Sequence, residues 1–284
     1  MAEVAKAQIK LQIGDNSFQT GDAYDWTLTH IVDDEFLTPD VPIGRYANID
    51  GGYVKKQLNE PRPVTLYLQS KGREAAQIDA AWLELKKKLT CKKDAILTLY
   101  KHGVTRYLYG NLTEYKKRDD SMPWNVPADV KIEFTAPDPW YYGELIERSF
   151  QTVTPLLMFP LTIMTDGLTP GLIASGNSMS INYEGDEENG FDLTLTASGA
   201  VVNPYVQDAF GNYVKAIVTM ASGDVLTIRT GVKPYVRLNG AICQRALLCS
   251  FFDLQPGAMN TLTVGADSGV ALLAKVIGYK EKYQ

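Results

Sequence analysis

The chain has 284 residues, 45% hydrophobic and 21% charged, which is ample for two cores and too apolar for a disordered chain. Its net charge of −5 argues against a protein that grips nucleic acid through phosphate contacts, which needs a basic face. The longest apolar run, 155–164, is short for a bilayer span and is broken by Pro160, and the N-terminus lacks an apolar core of signal-peptide length. No membrane partner is expected, and the chain should stay in the cytoplasm unless a larger assembly carries it out.

Charge is unevenly spread. Residues 1–143 hold 39 charged side chains and residues 144–284 only 22, which with the length predicts two domains, 1–143 and 144–284. In chain order, 7–13 reads as a strand, followed by a turn at Gly14-Asp15-Asn16 and a second strand over 24–32. Asp33, Asp34 and Glu35 form an acidic knot, and Pro39, Pro42 and Gly44 mark an irregular stretch. From Arg62 to Leu68 the chain alternates again, with Val64, Leu66 and Leu68 on one face.

One helix is predicted over about 73–89, started by Ser70 or Gly72. Ile78, Trp82, Leu85 and Leu89 fall on a single stripe, and Lys86, Lys87 and Lys88 at its end suit the helix dipole. The stripe is read as core, and the basic run 86–93 as a solvated helix end rather than an anion site. Strands follow over 95–100, 104–112 and 128–135, with a tight turn at Lys101-His102-Gly103 and an exposed loop over 116–127. The strand 128–135 runs into Pro137-Asp138-Pro139-Trp140-Tyr141-Tyr142-Gly143. Its prolines stop the sheet and its aromatics offer packing surface, so this stretch is read as a domain joint.

The second half has no helical stripe. Short strands are predicted over 144–152, 178–183, 191–197, 201–206, 214–220, 224–230, 235–238, 246–252, 261–265 and 271–278, separated by turns such as Asn239-Gly240 and Gln255-Pro256-Gly257. That spacing predicts an all-β sandwich or jelly roll.

Catalysis finds no constellation. His30 and His102 are the only histidines, and neither adjoins a nucleophile motif. No zinc-protease, phosphate-loop or dinucleotide run occurs. Asp186-Glu187-Glu188 lacks the alternating spacing of a calcium loop, and Cys91, Cys243 and Cys249 lack paired spacing and are read as buried thiols. No catalytic, cofactor or metal residues are therefore assigned, and no cofactor is expected. Carbohydrate binding is the serious alternative, because Trp140, Tyr141, Tyr142, Tyr183 and Tyr205 have the rings to stack on sugars. Burial is the simpler account of these and of Phe251-Phe252.

Three stretches together resemble the distal tail proteins (Dit) of long, non-contractile-tailed bacteriophages. They are Asp50-Gly51-Gly52-Tyr53 leading to 61–66, the strand and Asp-Pro-aromatic run over 132–143, and a C-terminal series. That series comprises Asn203-Pro204, Gly211-Asn212, 223–226, 236–240, 250–254 and 256–260. Thr230 and Ala258-Met259 depart from the family's pattern as local turn variations. The resemblance implies an N-terminal β-sandwich with one α-helix and a hairpin arm, and a C-terminal galectin-like sandwich. It also implies a hexameric ring built by the N-terminal domains, a hub at the virion tail tip assembled in the host cytoplasm. Its implied partners are further copies of itself, the tail-tube protein, the tail-associated fibre or lysin protein and receptor-binding proteins. Genome DNA would pass through the lumen unbound, and six copies would bring the charge to about −30. The alternative reading is a carbohydrate-binding host-recognition module of the baseplate.

Overall fold

The computed structural model describes residues 8–33, 37, 39–46, 50–55, 58–72, 74–89, 93–101, 103–118, 127–155, 171–243 and 250–284, with backbone only at 151–155 and 171–175. The chain divides into two compact units. Unit 1 comprises 1–144 together with Tyr283 and Gln284, and unit 2 comprises 145–282. The whole of 137–143 therefore lies in unit 1, as do the last two residues.

Unit 1 contains β1 (Gln8–Ile13), β2 (Asn16–Gln19), β3 (Trp26–Asp33), β4 (Pro39–Asp40), β5 (Ile43–Arg45), β6 (Gly52–Val54), β7 (Leu58–Asn59), β8 (Arg62–Ser70), α1 (Ala75–Lys88), β9 (Asp94–Lys101), β10 (Val104–Lys117), β11 (Val130–Ala136) and β12 (Tyr141–Tyr142). Its main sheet runs β2-β1-β9-β10-β11-β8-β3, with β12 joined to β10. All the strand pairs for which a register is defined are antiparallel. Alternation explains the core: Ile9, Leu11 and Ile13, then Val64, Leu66 and Leu68, then Val130, Ile132 and Phe134 are buried on one face. Each such side chain contributes about 1.5–3 kcal/mol by leaving water. Two bulges strengthen the sheet's twist, between Leu28 and His30 and between Leu112 and Glu114. Both skip a threonine whose hydroxyl bonds across the pair, Thr29 to the Tyr67 carbonyl at 2.9 Å and Thr113 to the Glu133 carbonyl at 3.2 Å.

The helix begins at Ala75, with Glu74 at its N-cap and no side-chain cap bond, so neither Ser70 nor Gly72 starts it. Ser70 instead accepts a bond from the Gly72 amide. Only Leu85 of the helix is buried, joined by Leu89 just beyond it, while Ile78 and Trp82 lie half-exposed. The stripe is thus a thin seam. Strand β10 runs five residues further than expected, to Lys117, and takes the start of the anticipated loop into the sheet.

Unit 2 contains β13 (Ile146–Ser149), β14 (Gln151–Pro155), β15 (Gly171–Ser175), β16 (Ser178–Asn182), β17 (Phe191–Ala197), β18 (Val201–Val202), β19 (Tyr205–Gln207), β20 (Tyr213–Lys215), β21 (Thr219–Met220), β22 (Val225–Arg229), β23 (Tyr235–Leu238), β24 (Ala241–Ile242), β25 (Met259–Gly265) and β26 (Leu273–Tyr279). A six-stranded sheet, β13-β26-β17-β22-β23-β24, and a four-stranded sheet, β16-β25-β19-β20, share one core. The predicted strand over 201–206 is split at Asn203-Pro204, where Asn203 takes φ 49 and proline supplies no donor. Most of the predicted strand 246–252 lies outside the described residues, and Ser250–Phe252 form no strand. Lys275 points into the core, where burial pushes its ammonium down. It donates to the Gly176 carbonyl at 3.2 Å and to Asn177 Oδ1 at 3.1 Å.

The last strand, β27 (Lys282–Tyr283), pairs with β12 of unit 1. Tyr283 packs beside the core of unit 1, with the Arg106 guanidinium 3.4 Å from its ring centroid. Deleting Tyr283 and Gln284 should lower the unfolding midpoint of unit 1, the ring–cation contact alone being worth about 0.5–2 kcal/mol. Urea melts followed by tryptophan fluorescence report it, since Trp26, Trp82, Trp124 and Trp140 all lie in unit 1. Gly110 supplies a sharper test. A Cβ there would stand 2.2 Å from the Thr135 carbonyl oxygen and 2.8 Å from the Ala136 Cα. Gly110→Ala should therefore cost about 1–3 kcal/mol in the same melt.

Candidate assembly interface

Between Asp33, the last residue of β3, and Arg62, the first of β8, the chain leaves the sheet of unit 1 and returns. The sequence offered an irregular stretch here, but the structure shows paired backbone. β4 pairs with β7 (Pro39 opposite Asn59), and β5 pairs with β6 (Ile43 opposite Val54, Arg45 opposite Gly52). These pairings continue the β3–β8 register, in which Asp33 stands opposite Val64, to within one residue. The described residues of this segment form two short two-stranded ribbons that keep the register of β3 and β8. From Asp33 to Arg45 is twelve residues, a reach of at most about 40 Å at 3.3 Å per residue.

Ribbons of two strands are marginal in water, and this segment exposes apolar side chains. Ile43 is 70% exposed, and Val54, Leu58, Tyr46, Tyr53 and Val41 are exposed as well. Its inner order comes from Tyr53, whose ring lies on Gly44 so closely that a Cβ there would be 2.6 Å from Cζ. Tyr46 adds a tilted contact with Tyr53, ring centroids 5.3 Å apart. The sequence carried a signal for this arm: Asp50-Gly51-Gly52 is a hairpin turn between short apolar runs, and Gly51 takes φ 107.

At the root, three side chains converge. Arg62, 3% exposed, has Nε 3.4 Å from Asp33 Oδ1. Tyr141 donates its hydroxyl to Asp33 Oδ2 at 2.5 Å, and the Arg62 guanidinium lies 4.7 Å over the Tyr141 ring. Burial first, then the Asp33 carboxylate, push the Tyr141 phenol well above its ordinary range, so it stays a neutral donor. Asp33 and Tyr141 also edge a groove of about 920 Å³ on unit 1, lined by Leu28, Ile31, Leu99 and Val104 with Lys101 and Arg106 among them.

The residues singled out for chemistry are dispersed. His30 is exposed and packs toward Tyr67, ring centroids 6.0 Å apart, while His102, Cys91 and Cys249 lie outside the described residues. Cys243 is free and half-buried against the core of unit 2, so it is less enclosed than expected. Among the described residues no group of three or more His, Cys, Asp or Glu side chains could hold a metal. No described helix is long and apolar enough to cross a membrane.

Of the aromatics considered for sugar stacking, Tyr183 is fully buried and donates to the Glu187 carbonyl at 2.8 Å. Tyr205 lies on Gly265, where a Cβ would be 2.2 Å from its Cζ. Tyr142 meets Tyr109 edge-on at 5.5 Å and donates to Asp138, and Trp140 is half-buried. Phe252 packs on Phe191 at 5.6 Å, but Phe251 is exposed, against expectation. Sequence reasoning passed over Tyr235, whose ring carries the Arg237 and Arg229 guanidiniums at 4.3 and 5.0 Å.

Residues 184–283 match the family model described as siphovirus-type tail component, C-terminal domain. The distal-tail resemblance seen in the sequence is borne out, and its C-terminal series, 203–260, falls inside the matched stretch. The SPP1 Dit (gp 19.1) crystal structure, described as a paradigm of the hub adsorption apparatus in Gram-positive infecting phages, aligns at a TM-score of 0.68. The alignment has 13% identity and covers 97% of this chain and 99% of that one. At that identity the likeness is one of fold, and it runs through both units. A chain of the phage P2 baseplate, in its activated conformation with Ca, aligns at a TM-score of 0.48 with 12% identity over 98% of each chain. A comparison with curated protein sequences gives no match.

Because the arm's apolar residues touch water rather than core, replacing them should spare the fold. Ile43→Ser with Val54→Ser should leave the unfolding free energy of the chain within about 0.5 kcal/mol of wild type, measured by urea melts followed by circular dichroism at a protein concentration low enough to keep it monomeric.

Proposed function

We propose that the chain is a distal-tail hub, six copies closed into a ring through unit 1. The ring would join the tail tube to a tail-associated fibre or lysin protein at the virion tail tip, with DNA passing through its lumen. The observation that carries this reading is the end-to-end likeness to SPP1 Dit, a protein described as a hub, over 97% of this chain. The arm supplies a physical reason for assembly. A ribbon that leaves Ile43, Val54 and Leu58 in water gains about 1.5–3 kcal/mol for each such side chain it buries against a neighbour. An arm on one surface meeting a different surface of the next copy is a heterologous contact, which generates a ring when the rotation closes.

The role asks for rigid sandwiches and a repelling lumen rather than chemistry. Six copies carry about −30, six times the −5 of one chain, and such a field keeps DNA phosphates off the wall. For saccharide recognition by unit 2, the candidate stacking rings Tyr183 and Tyr205 are committed to packing, and fold shape alone confers no activity.

Size-exclusion chromatography with light scattering, together with negative-stain imaging of the full chain, should show rings of six that build up with concentration. Replacing 36–60 by an Asn-Gly turn, which closes β3 onto β8 directly, should leave a folded monomer at every concentration tested. A wild-type chain that stays monomeric and shows no rings would remove the hub reading.

A further inference from the structure

The arm has a root, and the root is built from polar side chains. Asp33 closes the outgoing strand and Arg62 opens the returning one, and they meet at 3.4 Å. Tyr141, 7% exposed, comes from β12, outside the β3–β8 pair, and bonds the same carboxylate. Buried ion pairs are poor sources of stability compared with apolar packing, and their best-attested use is to specify one arrangement among several. A carboxylate held from two sides fixes both strands of the ribbon against the body of unit 1.

Reach makes that fixation matter. On a lever of up to about 40 Å, a tilt of roughly 5° at the root displaces the tip by up to about 3 Å. Interfaces pack at the density of protein interiors, so a shift of that size separates apolar surfaces that must touch. The tip residues Ile43 and Val54 cannot correct it locally, because their own pairing is a two-stranded ribbon.

We propose that Asp33, Arg62 and Tyr141 are positioning residues that set the angle at which the arm leaves unit 1, and through it the concentration at which copies assemble. This rests on the ring reading above, with a second copy of the chain as the arm's partner. The three residues act through the arm, whose described residues run 39–46, 50–55 and 58–61.

The test uses the full chain as wild type, Asp33→Asn and Tyr141→Phe. Tyr141→Phe keeps the ring over Arg62 and removes only the hydroxyl that bonds Asp33. Two quantities are read: the assembly midpoint by sedimentation velocity across a concentration series, and the rate of tryptic cleavage after Arg45 and Lys55, both exposed on the arm. Cleavage is followed by mass spectrometry on dilute protein. Losing a hydrogen bond to a charged group should raise the assembly midpoint about tenfold and speed cleavage at both sites several-fold, while the thermal midpoint moves by only a few degrees. Rings that form at the wild-type concentration with unchanged cleavage would overturn the proposal, as would a fall in thermal midpoint with both other quantities unmoved. Should Asp33→Asn fail to fold, Tyr141→Phe decides alone. Should the wild type form no ring, the hub reading fails separately, and the cleavage rates still decide whether the root holds the arm.

Discussion

Backbone pairing between β3 and β8 governs unit 1, because the same pairing serves two masters. Inside the sheet it lines up Leu28 with Leu68 and Ile31 with Leu66, and on its other side β8 pairs with β11 from Arg62 to Leu68, so β8 is held on both sides. Beyond Asp33 the described residues of the ribbon pair only with each other, and Ile43, Val54 and Leu58 meet water. A one-residue slip would turn Val64, Leu66 and Leu68 out of the core. The buried body therefore dictates the register of an exposed arm, which by itself has too little apolar contact to choose one.

Unit 2 solves a different problem. Two sheets from many short strands must close over one core, and close approach is bought with glycine where chains cross. Gly190 lies so near the Thr230 carbonyl that a Cβ would stand 2.5 Å away, and Gly269 stands as close to Ala200. Turns are tied by carboxylates rather than by apolar contact. Asp208 accepts from the amides of Phe210 and Asn212, while Asp224 accepts from Ala221 and Asn239. Hydrogen bonds from Lys215 and Asn203 hold the Asp267 carboxyl below its ordinary range. These carboxylates brace turns and neighbouring strands in the fold.

Strands β1, β3, β8, β9, β10 and β11 in unit 1, and those over 191–197 and 235–238 in unit 2, were legible because a half-buried strand repeats every two residues and little else does, whereas β2 was not foreseen and β12 lies in the stretch read as ending the sheet. Helix α1 was legible for the same kind of reason, with its start misplaced by two residues. Nothing in Ser70 or Gly72 distinguished a cap from a strand end, and Ser70 proved to be the end of β8. The arm was half legible. Asp50-Gly51-Gly52 announces a turn, but Pro39 and Pro42 suggested an irregular stretch, whereas Pro39 itself pairs with Asn59 and pairing continues at Ile43 beyond Pro42.

Taken alone, the sequence determined the class of fold, the strand-rich second half, the absence of a recognisable catalytic motif, and the family resemblance carried by its turn and Asp-Pro-aromatic series. Each is written in neighbouring residues, where local propensity and alternation operate. Only the tertiary structure decided that Asp33, Arg62 and Tyr141 form one cluster across 108 residues of chain, that Tyr283 returns to unit 1, and that Phe251 faces solvent while Phe252 enters the core. Those facts depend on which strands lie side by side after the chain has closed its sheets. No local pattern encodes that choice, because burial of the whole core selects it.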